Sequence, residues 1–142
     1  MTELAFRRPP LRNAPNTEFP RIGGLHDVAY RCKNAEETRR FYEDILKLPL
    51  VAVVHHDHVP STGEYSPYFH LFFEMADGSC IAFFDLYDGN ATVPDPATPA
   101  WVNHLALQVA DEAALLDAKQ RLEKAGVSVI GPAVHEAIKS IY

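Results

Sequence analysis

Seven histidines stand in this 142-residue chain, and two of them occupy matching places in a repeat. His26 opens the strand-like segment Leu25-His26-Asp27-Val28-Ala29-Tyr30-Arg31. His104 opens Asn103-His104-Leu105-Ala106-Leu107-Gln108-Val109, 78 residues later. Each segment is followed by an amphipathic helical pattern. Two imidazoles at matched positions can share a divalent metal. The competing reading of either residue alone is a strand histidine hydrogen-bonded in the core.

Other side chains compete for a chemical role. His70 shares one side of a strand with Tyr68, Phe72 and Glu74, because side chains alternate along a strand. If that side lines a cavity, His70 is a candidate catalytic residue, a general base or a donor to an oxyanion; otherwise it is half of a satisfied polar pair at the sheet surface. His55, His56 and His58 cluster at a strand end, with His56 and His58 on one side. They read as a polar strand end, or as substrate contacts. Phe69, Phe72, Phe73, Phe83 and Phe84 supply core or pocket wall, which suits a planar or apolar ligand.

The elements that position these residues follow from periodicity and punctuation. A strand over 24–31 leads to Asn34, a helix cap with Glu37 as its capping-box partner. Thr38, Phe41, Tyr42, Ile45 and Leu46 then mark one face of a helix over 35–46. Leu50 to Val54 reads as a second strand, 57–67 as a loop, and Tyr68 to Met75 as a third strand. Asp77-Gly78 turns the chain into a fourth strand from Cys80 to Leu86. Pro94, Pro96 and Pro99 mark a linker. The second copy predicts a strand from Trp101 to Val109, a helix capped by Asp111 and closed by Gly126, a short strand from Val127 to Ile130, and the start of another at Lys139.

The order predicts an α+β fold of paired βαβββ modules, mostly antiparallel, with the second module incomplete at its C-terminal end. The expected divisions are a flexible N-terminal arm (1–21), a first module (22–87), a Pro-rich linker (88–100) and a second, truncated βαβ module (101–142). A last strand without a neighbour is an exposed edge. Either the native product is longer or a second subunit covers it, so a homodimer is expected. The net charge of −6 offers no basic stripe for nucleic acid. No apolar run is long enough to span a bilayer, and no signal peptide opens the chain. Cys32 and Cys80 are isolated in strand-like segments and read as buried free thiols, which with the rest predicts a cytoplasmic protein.

The motifs Gly24-Leu25-His26-Asp27-Val28-Ala29, Thr38-Arg39-Arg40-Phe41-Tyr42-Glu43-Asp44-Ile45-Leu46, Ala76-Asp77-Gly78-Ser79-Cys80-Ile81 and Val102-Asn103-His104-Leu105-Ala106-Leu107 resemble those of the vicinal-oxygen-chelate superfamily. That superfamily includes glyoxalase I, fosfomycin-resistance and bleomycin-resistance proteins and extradiol dioxygenases. The resemblance covers residues 22–142. It implies two modules curled around a divalent metal held by His26 and His104, with Fe(II) or Mn(II) favoured and Zn(II) or Ni(II) as further candidates. The last-strand carboxylate of such proteins falls on Ala82 here, which cannot bind metal. Asp85 lies on the opposite side by alternation. The relatives' catalytic histidine near the metal loosely matches His135. The implied function is a metal-dependent enzyme acting on a small oxygenated substrate, leaning to an extradiol-type dioxygenase. The alternatives are a non-catalytic binding protein of the bleomycin-resistance type and a glyoxalase-type lyase.

Overall fold

The computed structural model describes residues 22–90, 95–135 and 137–142, which fall into two units, Met1–Thr92 and Val93–Tyr142. The arm expected over 1–21 lies outside the described residues.

In the first unit the chain order is β1 (Asp27–Arg31), α1 (Ala35–Arg39), a π-helical continuation (Arg40–Ile45), β2 (Leu50–His58), β3 (Tyr65–Glu74) and β4 (Cys80–Asp85). The Asn34 side chain accepts from the Glu37 N–H at 2.9 Å and starts the helix where the cap was expected. The helix widens over Arg40–Ile45, and at its end the Phe41 carbonyl accepts from Leu46, five residues on, at 3.0 Å. Tyr42 thereby packs on Phe83 and Phe73, with ring centroids 4.8 and 5.4 Å away. On the solvent side Arg39 bridges Glu36, Glu43 and Asp44. Such exposed pairs contribute little to stability.

The four strands form one sheet in the order β1-β4-β3-β2, with β1 parallel to β4 and the other pairs antiparallel. Between β3 and β4, Gly78 adopts a φ of 81°, and the Asp77 carboxylate accepts from the Ser79 N–H at 2.8 Å. Strand β2 runs on to His58 rather than stopping at Val54, and the loop shortens accordingly. Cross-strand ring pairs carry the ladder outward: His56 lies 6.0 Å from Tyr68, and His58 5.3 Å from Tyr65.

Alternation gives the sheet two different faces. On the helix side Cys32, Leu71, Phe73, Ile81 and Phe83 form the main core, with Tyr42 and Leu48 packed against it. The other side carries Ala52, Phe72, Cys80 and Ala82. Cys32 and Cys80 are buried thiols outside any disulfide, one in each cluster. Asp85 belongs to the helix side. Its carboxylate accepts from the backbone N–H groups of Ala35 at 2.9 Å and Tyr87 at 2.8 Å, tying the end of β4 to the start of α1.

The second unit holds α2 (Glu112–Lys124), β5 (Ala133–His135) and β6 (Ile138–Ser140). Asp111 caps α2 by accepting from Ala114 at 2.8 Å. Strands β5 and β6 pair as an antiparallel hairpin that the sequence pattern did not reveal. Lys139 reaches Glu112 at 2.5 Å and links that hairpin to the helix. Two expected strands are absent among the described residues. Residues 127–130 form no strand, although Ile130 exchanges backbone hydrogen bonds with Tyr142 at 2.6 and 2.8 Å. Residues 101–109 form none either. In the first unit the matching segment is a strand through its ladder to β4, and the described residues of the second unit hold no counterpart of β4 for 101–109 to join. No helix among the described residues is long and apolar enough to cross a membrane.

Replacing Asp85 by Ala strands two backbone donors at a buried strand end. Asp85→Ala is expected to lower the unfolding free energy by about 1–3 kcal/mol, read from urea denaturation; an unchanged midpoint would show that water serves those donors equally well.

Candidate functional site

The sheet face opposite the helix collects the side chains with chemistry. Register sets its membership. Asp27 stands beside Cys80 and Ala29 beside Ala82 across β1 and β4. Phe72 stands beside Ala82 and His70 beside Phe84 across β3 and β4. Val54 flanks His70 and His56 flanks Tyr68 across β2 and β3. The expected grouping of Tyr68, His70, Phe72 and Glu74 on one side therefore holds, as does the placement of Asp85 on the other.

His70 is held between aromatic rings. Its imidazole stacks on Phe84, with centroids 3.7 Å apart and planes 17° off parallel, and lies 4.1 Å from the ring of Phe72. Tyr68 closes on Phe84 edge-on at 5.4 Å. The Nε2 atom of His70 is shielded from solvent and has no hydrogen-bond partner among the described residues. Burial pushes the imidazolium below its ordinary 6.5, and the nearby Asp27 carboxylate pulls more weakly the other way. The ring is thus neutral at pH 7, with one nitrogen able to accept a proton.

At the β1 end of the face, the Asp27 carboxylate meets Nδ1 of His26 at 2.5 Å. Asp27 is the more sheltered of the two, its side chain 27% exposed against 56% for His26. His26 lies one residue before the strand, and its backbone carbonyl accepts from Cys80 at 2.9 Å. The remaining candidates are dispersed. His55 is on the helix side of the sheet, beside Phe69 and Tyr87. His104, in the second unit, is exposed in a segment without strand structure, with Nδ1 3.1 Å from the Val102 carbonyl oxygen. His135 ends β5, exposed, edge-on to Tyr142 at 6.2 Å.

Comparison with known proteins follows the same lines. Residues 24–142 match the family model of the Glyoxalase/Bleomycin resistance protein/Dioxygenase superfamily. Among solved structures, the chain is similar to the YycE protein of unknown function from Bacillus subtilis, at 20% identity and a TM-score of 0.56, over 75% of this chain and 70% of that one. It is also similar to the fosfomycin resistance protein FosX from Mesorhizobium loti, at 20% identity and a TM-score of 0.53, over 79% and 77% of the two chains. At such identities the likeness supports the fold alone. No curated protein sequence matches the chain.

Members of that superfamily commonly use divalent metals. The donor set expected here does not fit one as drawn. His26 lies outside β1, and Ala82, fully buried, stands at the last-strand position. Among the described residues no group of three or more His, Cys, Asp or Glu side chains is arranged to hold an ion. Strand register puts Asp27, the neighbour of His26, on the face that carries Ala82, Phe72 and His70.

Because His70 is neutral in the fold and would be protonated once unfolded, acid favours the unfolded chain. Stability is expected to be full above about pH 6.5 and to fall as pH drops through the window below it. His70→Phe removes both this dependence and an unsatisfied buried nitrogen. Denaturation curves at pH 5 and 7.5 should show a flatter pH response in the variant, and a gain of about 1 kcal/mol at the higher pH.

Proposed function

Because the chain belongs to the glyoxalase/bleomycin resistance protein/dioxygenase superfamily, we propose that it is an enzyme acting on a small oxygenated substrate bound against His70, Phe72 and Phe84. The observation that carries this reading is the Nε2 atom of His70, sheltered from water yet unbonded among the described residues. Leaving such an atom unpaired costs about 1–3 kcal/mol. A ligand hydroxyl or carbonyl oxygen at that place would recover the loss. Unsatisfied polar groups of this kind call for an explanation, and a binding site is one.

The chemistry available to these residues is proton transfer. The neutral imidazole accepts a proton from a substrate hydroxyl, and the aromatic walls around it, with Tyr68 beside Phe84, suit a planar substrate. Those walls favour an aromatic ring over an aliphatic thioester or epoxide. The substrate we favour is therefore an aromatic diol, the class cleaved by extradiol-type dioxygenases, ahead of a glyoxalase-type lyase reaction. Acting on small molecules in a homodimer in the cytoplasm is part of the same proposal.

A second reading has its own support. Ala82, fully buried where a carboxylate would stand, favours a protein that binds such a molecule without turning it over. Catechols and hemithioacetals assayed with and without Fe(II) or Mn(II) separate the two. The enzyme reading expects turnover of a catechol that falls about 100-fold or more in His70→Phe. Saturable binding without turnover would establish the binding protein, and turnover untouched by His70→Phe would remove His70 from the chemistry.

A further inference from the structure

We infer that the face around His70 takes a phenol that also carries an acid group, and that Arg31 is the residue that selects it. The inference rests on the reading of His70 as the contact for the hydroxyl and adds the charge of the substrate to it. Register brings the two residues into one row. Arg31 pairs with Phe84 across β1 and β4, and Phe84 pairs with His70 across β3 and β4. Neighbouring strands lie about 4.8 Å apart, so the two backbones stand roughly 10 Å apart with Phe84 between them. A benzene ring with substituents on opposite sides bridges less than that, and the long Arg31 side chain supplies the rest. Alternation places Arg31 with Asp27 and Ala29 on this face, while Cys32 lies in the core on the helix side.

Charge is laid unevenly along the face. The carboxylates Asp27 and Glu74 both belong to the row of Cys80, at the other end of β1. The length of that strand, about 13 Å, separates Asp27 from Arg31. An anionic group is therefore repelled at the Cys80 row and attracted at the Phe84 row, which orients a ligand as well as selecting it. The segment after β4 fixes where the guanidinium sits. Its Nε donates to the Asn90 carbonyl at 3.2 Å and its Nη2 to the Asp88 carboxylate, while Asp88 also accepts from the Asn90 N–H at 2.9 Å. A guanidinium carries five donors in a planar fork and can serve more than one carboxylate. Arg39 does so in this same chain, meeting Glu36, Glu43 and Asp44. The Arg31 side chain is 30% exposed, so a ligand from solvent can reach it.

Calorimetry on the full-length chain tests this with protocatechuate, a catechol bearing one carboxylate, and with its neutral amide. The unaltered chain is expected to bind the acid about 10-fold or more tighter than the amide. Arg31→Gln is expected to bring the acid down to the amide's level, and Arg31→Lys to restore part of the difference. Asp88→Asn, whose side-chain oxygen still accepts from the guanidinium, is expected to keep the preference for the acid. The inference is overturned if the unaltered chain binds both ligands alike or if Arg31→Gln keeps the preference. It is also overturned if Arg31→Gln and Asp88→Asn weaken acid and amide equally, the result of a guanidinium that only ties down the segment after β4. Binding of neither ligand by the unaltered chain overturns the proposed function and this inference together. Amide binding that His70→Phe abolishes leaves the proposed function standing whatever the Arg31 variants show.

Discussion

The parallel ladder between β1 and β4 is the constraint on which the rest of the first unit depends. It joins the first element of the module to the last, across a helix and two strands. Backbone bonds clamp both ends: Cys80 donates to the His26 carbonyl and Cys32 to that of Phe84, each at 2.9 Å. Between those clamps the alternation of side chains is settled. Cys32 goes to the helix side with Ile81 and Phe83, and Asp27 goes to the other side with Cys80 and Ala82. A slip of one residue would bury Asp27 under the helix and expel Cys32 from the core, so the register is specified by burial itself.

The two faces handle polar groups in opposite ways, and that contrast separates structure from function. On the helix side the buried carboxylate of Asp85 is satisfied by two backbone donors. It stabilises the junction of strand and helix. On the opposite face His70 is enclosed by rings that cannot hydrogen-bond its Nε2. The small Ala82 beside Phe72 keeps that face low where a longer acidic side chain would stand.

Much of the first unit was legible in the sequence because its signals are local. The Asn34 cap, the helical spacing of Phe41, Tyr42 and Ile45, and the Asp77-Gly78 turn each act within a few residues. The grouping of His70 with Phe72 and Tyr68 followed from alternation alone. The π-helical widening at Phe41 was not legible, since it answers to the fit of Tyr42 against Phe73 and Phe83. Neither was the hairpin of β5 and β6, whose three-residue strands are too short to show a period. The segment 101–109 has the composition of a strand and lacks one because a strand is defined by its neighbour.

Sequence alone determined the class of the fold, the first βαβββ module, the superfamily and the aromatic character of the face around His70. These rest on residue type and spacing, which survive any arrangement of the chain. Tertiary structure decided that Asp27, next to His26, shares the sheet face of His70, and whether Nε2 of His70 finds a partner among the described residues. Those outcomes turn on a ladder register set across more than fifty positions and on burial among neighbouring strands, and neither has a counterpart in local pattern.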